Sequence, residues 1–158
     1  MMLIIDASVL IAFYSQTELN EPDLFHQLAN KGCSLLLPNA VYLEIMKGRK
    51  QTIDLLTKAM KKGIIKLNTE ISDEETKSFG NRYPQLNSGD IQVILLGIKV
   101  KASGMPYYCL LSDNQARNVA QCYGLTLKGT RATISLLNQL NIIDNQKRES
   151  LLYRLNHC

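Results

Sequence analysis

The alternation of short apolar segments with helical patterns is the feature that most constrains the fold of this chain. The apolar segments are MLII, CSLLLP, IIKL, YCLL and LTL, and stretches with apolar residues at helical spacing separate them. Short, continuous apolar runs are typical of strands that are buried on both faces of a sheet. Parallel strands need crossover connections, which are usually helices. The pattern therefore predicts an α/β protein, a three-layer α/β/α fold with a central parallel sheet.

The size and composition predict one domain that spans residues 1–158. A chain of 158 residues with 46% hydrophobic residues can bury one sizeable core. Helix-start signals also divide it into regular elements. Ser72 with Glu75 forms a capping-box pattern, and Asn39, Ser88 and Thr130 are predicted to cap the helices that follow them.

Charge and cysteine content limit the class of protein. The net charge of +4 permits an anionic partner such as nucleic acid, without establishing one. No apolar run approaches the roughly 20 residues of a membrane span, and the N-terminus lacks the basic region of a signal peptide. The cysteines show neither CxxC nor another metal-like spacing: Cys33, Cys109, Cys122 and Cys158. This pattern favours a reduced, cytoplasmic protein without membrane contact.

Two acids follow predicted strands directly, at the edge where parallel α/β sheets form their sites. Asp6 follows LII, and Asp113 follows CLLS. Each is explained, taken alone, as an N-cap of the next helix. The alternative is that they are metal ligands, in which case Ser8 would orient Asp6 or hold a metal-bound water.

Two further acids lie in apolar surroundings. Glu44 stands inside AVYLEIM, so it is predicted to face the core, where a carboxylate needs either a cation or a salt bridge to Lys47 or Arg49. Asp90 lies in the first turn of SGDIQVILLGIKV, where the helix dipole alone favours an acid. That helix is predicted to be buried, however, so its start would point into a crevice.

The four acids become informative together. Converging carboxylates repel one another and need a cation, and oxygen ligands without His or Cys select Mg²⁺ or Mn²⁺. His26 and His157 lie in polar helices and are predicted to be surface residues, which makes a zinc site an unfavoured alternative.

In the order and spacing of its motifs, the chain resembles the PIN domain family, the metal-dependent ribonucleases that include VapC-type toxins. The resemblance covers nearly the whole chain and rests on LIIDASVLIAF, LLPNAVYLEI, LNSGDIQVILLGIK and LLSDNQARNVAQCYGLTLKGT. It implies a compact α/β/α fold and a metal site of three or four acids. The matching acids are Asp6, Glu44, Asp90 and Asp113, and the surrounding polar residues are Ser8, Ser112, Asn114 and Thr130.

Two positions differ from relatives with a similar C-terminal half. Asn114 stands where a second Asp is often found, and Gly89-Asp90 stands where Gly-Glu is common. The shorter Asp90 reaches less far than a glutamate would.

The resemblance implies a metal-dependent endoribonuclease, the toxin of a toxin–antitoxin pair. Water activated by Mg²⁺ or Mn²⁺ would attack the phosphodiester, and no side-chain nucleophile is needed. The expected partner is RNA, with an antitoxin protein and a second copy of the chain as possible further partners. Basic side chains that could line the RNA path are Lys47, Arg49, Lys50, Arg117, Lys128 and Arg131.

Alternative readings account for parts of the same pattern. A PIN fold with a weakened site would act as a module that binds RNA or a protein. A solvated loop explains the run KGRK as well as RNA contact does, and an i,i+4 pair with Asp113 is the alternative explanation for Arg117. An aspartate-phosphorylating hydrolase is disfavoured, because it requires Asp-x-Asp where the chain has Asp6-Ala7-Ser8.

Overall fold

A computed structural model describes residues 1–157, and Cys158 lies outside the described residues. Its strands form one sheet with every neighbouring pair parallel, in the order β3-β2-β1-β4-β5. The strands are β1 Met2–Ile5, β2 Ser34–Pro38, β3 Ile65–Asn68, β4 Tyr107–Leu110 and β5 Leu127–Lys128. All are short, as expected for strands inserted between helices.

Nine helices connect and follow the strands in the described part of the chain. They are α1 Ala7–Tyr14, α2 Pro22–Asn30, α3 Asn39–Ile45, α4 Lys50–Lys61, α5 Asp73–Arg82, α6 Ser88–Ala102, α7 Asn114–Cys122, α8 Thr130–Gln139 and α9 Asn145–Asn156. The longest, α6, packs against β1, β2 and β4 and is flanked by α3, α5 and α7. A second group is built around α2, which contacts β2, α1 and α8. The predicted three-layer α/β/α fold with a parallel sheet is confirmed.

The strands supply the centre of the core. Leu3, Ile4 and Ile5 of β1 are fully buried, as are Cys109 and Leu110 of β4. Continuous apolar runs, without polar alternation, are what a sheet covered on both faces requires. Of the cysteines within residues 1–157, Cys33 and Cys109 are buried free thiols and Cys122 is an exposed one.

The helix starts differ from the sequence-based expectation by one residue. The capping box of Ser72 and Glu75 is present. The helix of residues 88–102, however, is capped by Asn87, whose side chain accepts a hydrogen bond from the amide of Asp90. Asn39 and Thr130 are themselves the first residues of their helices, so they do not cap them. Residues with cap-forming side chains are also acceptable in the first turn, so sequence alone does not fix which of two neighbours is the cap.

The order of the strands places a crevice between β1 and β4. From β1 the chain proceeds outward through β2 and β3, and then returns through α5 and α6 to β4 on the other side of β1. In such sheets, ligands bind beyond the carboxyl ends of the strands at the point where the order reverses. No helix among residues 1–157 has the length and apolar character needed to span a bilayer.

Candidate active site

Asp6 and Asp113 follow the ends of the two strands that border this crevice. Ile5 pairs with Leu110 at the ends of β1 and β4, and the amide of Asp6 donates a 3.0 Å hydrogen bond to the carbonyl of Leu110. Asp6 is the next residue on its strand, and Asp113 follows Leu110 by three residues. Both acids therefore lie at the carboxyl edge of the sheet, as the sequence predicts.

The carboxylate of Asp6 is buried and is held by Ser8. Only 4% of Asp6 is exposed, and its Oδ2 accepts a 2.7 Å hydrogen bond from Ser8 Oγ. Asp6 occupies the N-cap position of α1, but its side chain makes no capping hydrogen bond. Burial raises the pKa of Asp6, the Ser8 hydroxyl opposes that shift, and the charge of Asp113 adds to it. Asp6 thus stands at the N-cap position of α1 without a regular capping hydrogen bond, although the nearby amides of Ala7 and Ser8 also lower its pKa.

Asp90 is the second buried acid of the crevice. It is 5% exposed and stands in the first turn of α6, whose N-terminus is fixed by Asn87. Burial, followed by the charges of Asp6, Asp113 and Glu44, raises the pKa of Asp90 to about 7. If Asp90 only interacted with the dipole of α6, the helix start would favour its charged form instead. The surroundings of Asp90 therefore disfavour its charged form.

The prediction that Glu44 faces the core is wrong. Glu44 is exposed, on the side of α3 where Leu43 is also 50% exposed. No ion pair joins it to Lys47 or Arg49 within residues 1–157. α3 covers the sheet with only its inner face, so an apolar sequence on all sides does not require burial on all sides.

Glu44 nevertheless points toward the other acids. A β-carbon built on Gly89 would lie 3.8 Å from Glu44 Oε2, which places the carboxylate beside the start of α6. Partial burial of the carboxyl group and the charge of Asp6 raise the pKa of Glu44, while Lys47 lowers it. Glu44 thus belongs to the rim of the crevice, above the two buried acids.

Asp113 is exposed and caps α7. Its Oδ2 accepts a 2.9 Å hydrogen bond from the amide of Ala116. The expected pairing with Arg117 is not formed: the Arg117 guanidinium donates to the carbonyl of Leu111 at 2.8 Å instead. Asp113 therefore performs the capping role, and its charge still reaches Asp6 and Asp90.

The four carboxylates form two levels, with Asp6 and Asp90 buried and Glu44 and Asp113 at the rim. As positioned, no three Asp, Glu, His or Cys side chains of residues 1–157 are close enough together to hold one metal ion. The chemistry of the donors still fits Mg²⁺ or Mn²⁺, because like charges raise one another's pKa here and a hard cation relieves that repulsion.

The histidines have other partners. His26 is hydrogen-bonded to the buried Tyr14 hydroxyl, so it is half-buried and not the surface residue that its polar helix predicts. His157 stacks on the ring of Tyr153. Neither histidine is among the groups that shift the pKa of Asp6, Glu44 or Asp90.

The other predicted polar residues lie close to Asp113. The hydroxyls of Ser112 and Thr130 are hydrogen-bonded to each other at 3.1 Å, which ties the end of β4 to the start of α8. Asn114, the first residue of α7, is exposed. Ser112 and Thr130 thus stabilise the loop that carries Asp113.

Two residues that position the acids were missed by the sequence analysis. Asn87 caps α6 and so sets the start of the helix that carries Asp90. Gln92, which is 3% exposed, accepts a hydrogen bond from the amide of Ala40 and donates one to Thr76, so it fixes α6 against α3 and α5. The available signal was a single polar residue in the long apolar run of α6, because such a residue needs partners when buried.

The predicted basic residues fall into separate groups. Lys47, Arg49 and Lys50 are exposed around the start of α4, and Arg49 lines a pocket of about 240 Å³ with Glu44. Arg117 and Arg131 lie on the other side, beyond Asp113. Lys128 is directed away from the carboxyl edge, since its Nζ sits 4.4 Å from the ring centroid of Tyr108, a residue two positions before the end of β4.

We expect Asp90→Asn to stabilise the metal-free protein at pH 8. The folded pKa of about 7 exceeds the unfolded value near 3.8, so the folded state holds this proton more tightly. Stability from Asp90 is therefore greatest below about pH 4 and is lost as the pH rises to about 7. Asparagine carries no such penalty. Because one pKa unit is worth about 1.4 kcal/mol, the gain at pH 8 is on the order of a few kcal/mol.

Chemical unfolding between pH 4 and pH 8 in EDTA measures this difference. Asp54→Asn, on the exposed face of α4, is the matched control and should keep the wild-type profile. A constant difference in unfolding free energy between Asp90→Asn and wild type across this range would contradict the assignment of the raised pKa to Asp90.

Comparison with known families agrees with this geometry. The family model DUF3368, described as a PIN domain, matches residues 2–157. A search of curated proteins gives no match.

Proposed function

The chain belongs to the PIN domain family, whose fold is that of nucleases, and on this premise we propose that it is a cytoplasmic endoribonuclease dependent on Mg²⁺ or Mn²⁺. The observation that carries the proposal is the set of acids in the crevice between β1 and β4. Asp6 and Asp90 are buried without a cationic side chain, and Asp113 and Glu44 add charge at the rim. Such a set is costly to the fold and needs a functional reason.

The four acids would bind the ion from two levels of the crevice. Asp6 and Asp90 would bind it from the floor of the crevice, and Asp113 and Glu44 from the rim. When bound, the ion supplies Lewis-acid chemistry: it lowers the pKa of a bound water and stabilises the charge that grows on the phosphate. Ser8 fixes the orientation of Asp6 by its 2.7 Å hydrogen bond, and Asn87 fixes the start of α6 under Asp90.

The reaction is hydrolysis of a phosphodiester bond in RNA. The oxygen of a water attacks phosphorus, the bond to the leaving oxygen breaks in line, and that oxygen takes a proton. No side chain becomes covalently modified in this reaction, so it requires no serine or cysteine nucleophile. The exposed basic residues on both sides of the acids would bind the phosphates that flank the cleaved bond.

The resemblance to VapC-type toxins further suggests the physiological setting. We propose that a small antitoxin protein binds across the acids, and that the chain can pair with a second copy of itself. Expression of the wild-type chain should then arrest growth, and expression of the Asp6→Asn variant should not. Equal growth of both strains, with equal amounts of protein, would contradict the toxin role while leaving nuclease activity open to direct assay.

One observation favours a second candidate, a binding module with a weakened site. The acids of residues 1–157 are not drawn close enough for three of them to share an ion, and Asn114 stands where relatives often have an acid. Such a module would bind RNA without cutting it.

The two candidates are separated by chelation. We expect EDTA to stop cleavage of a single-stranded RNA while leaving its binding in place, and excess Mn²⁺ to restore cleavage. Binding should weaken as salt rises, because basic side chains release counterions from phosphate. Cleavage that persists in EDTA would exclude the metal mechanism, and binding without cleavage in Mn²⁺ or Mg²⁺ would select the binding module. Asp6→Asn, purified in the same way, excludes a contaminating ribonuclease.

A further inference from the structure

A groove of about 450 Å³ is lined by Ser112 and Asn114, the two sequence neighbours of Asp113, and Glu44 is not part of its lining. We call it the arginine groove, and six of the residues that line it are Ser112, Asn114, Arg117, Thr130, Arg131 and Leu155. They come from the end of β4, from α7, from the start of α8 and from α9. Among residues 1–157, none of the residues that line it is an Asp or Glu.

Both arginines carry charge that no acid neutralises within residues 1–157. Arg117 donates to the carbonyl oxygen of Leu111, and Arg131 donates to the side-chain oxygen of Asn156. Both acceptors are neutral, and neither arginine forms an ion pair in the described chain. These hydrogen bonds hold the guanidinium groups in place at the groove and leave other N–H groups of each fork free to bind an anion.

Neutral donors complete the lining around Gly129. A β-carbon at Gly129 would lie 3.6 Å from Arg117 Nη1 and 4.0 Å from Ser112 Oγ, so the guanidinium and the hydroxyl meet at this point. Gly129 is the N-cap of α8 and offers no side chain to cap it, which leaves the first backbone amides of the helix without a side-chain capping partner. Guanidinium groups, hydroxyls and free helix N-terminal amides are groups with which proteins bind phosphate.

The groove lies beside the acids because two of its lining residues flank Asp113 in the sequence. Ser112 and Asn114 are the neighbours of Asp113 on either side, so the groove and the acids are adjacent parts of one surface. Resting on the proposed function, we propose that the arginine groove is a subsite for one phosphate of the RNA chain, next to the phosphate that is cleaved. The RNA would then run from the acids over Asp113 toward α9, and Lys128 would not contribute to its path.

Salt-dependent binding of a single-stranded oligoribonucleotide in EDTA tests this subsite. For single strands, the slope of log K against log [salt] changes by about 0.7 for each phosphate contact. We expect Arg117→Gln/Arg131→Gln to make the slope shallower by about 0.7, the value for one phosphate, and to weaken the binding of all RNA sequences alike. The charge-matched control is Lys58→Gln/Lys61→Gln in the last turn of α4, at the opposite edge of the sheet, which should keep the wild-type slope. Arg131→Gln alone is also measured. Because Arg131 is exposed, this single variant should fold even if the double variant does not.

The outcomes separate this inference from the proposed nuclease function. A wild-type slope in both arginine variants overturns the subsite, even if the wild-type protein cleaves RNA in Mn²⁺. A shallower slope of log K against log [salt] in the arginine variants supports the subsite, even if no cleavage is seen with any metal. Binding of poly-glutamate that depends on both arginines, with RNA binding unchanged by them, would also overturn it, because the groove would then recognise an acidic protein segment.

Discussion

Asp6→Asn is expected to reduce RNA cleavage by more than the 10–100-fold that loss of a residue behind a metal ligand typically costs. Asp6 is buried just after β1, and its burial raises the pKa of the carboxyl group despite the hydrogen bond from Ser8 and the nearby amides of Ala7 and Ser8, so loss of the charge should not destabilise the fold. Asparagine keeps an oxygen that can accept the hydrogen bond from Ser8. We therefore expect the folded state of the variant to be at least as stable as the wild type at pH 8 in EDTA.

Cleavage rates at saturating Mn²⁺, with thermal melting of the same samples, measure this effect. Ser8→Ala is the graded comparison, because it removes the residue that orients Asp6 and leaves the charge in place. It should lose activity by about 10–100-fold. Wild-type cleavage by Asp6→Asn would refute the metal site altogether, and equal losses in the two variants would mean that orientation, not charge, is what Asp6 provides.

Asp113→Asn is expected to lose most cleavage with little change in stability. Asp113 caps α7 through Oδ2, and asparagine caps helices about as well as aspartate, so the melting temperature should barely move. What the substitution removes is the charge that also acts on Asp6 and Asp90. If the carboxylate helps to hold the cation, the affinity for Mn²⁺ should fall with the activity.

The chain offers a matched control for this variant. Asp144 caps α9 in the same way, by a 2.7 Å hydrogen bond from the amide of Lys147, on a different helix start. Asp144→Asn should leave both Mn²⁺ affinity and cleavage unchanged. Asn114→Asp should tighten Mn²⁺ binding, since an acid is placed where relatives often have one. Retention of wild-type Mn²⁺ affinity and activity by Asp113→Asn would mean that Asp113 is only a cap.

Local sequence patterns were enough to predict the frame of the fold and the edge at which Asp6 and Asp113 lie. An apolar run too short for a helix, followed by a polar residue and a helical pattern, fixes a strand end whatever the rest of the chain does. The parallel order follows because each strand is separated from the next by at least one helix. The family resemblance then selected the four acids, and the match over residues 2–157 agrees with that family.

Which side chain meets which was decided by tertiary packing. Glu44 looks buried in sequence, but α3 covers the sheet with one face only, so Glu44 lies at the rim. Arg117 has Asp113 at helical spacing, yet its guanidinium donates to the carbonyl of Leu111, the residue just after β4. A periodic pattern specifies the face of an element, and only the packing of neighbouring elements determines what that face contacts. The raised pKa of Asp90 has the same origin, since its causes are burial and three acids that are distant in sequence.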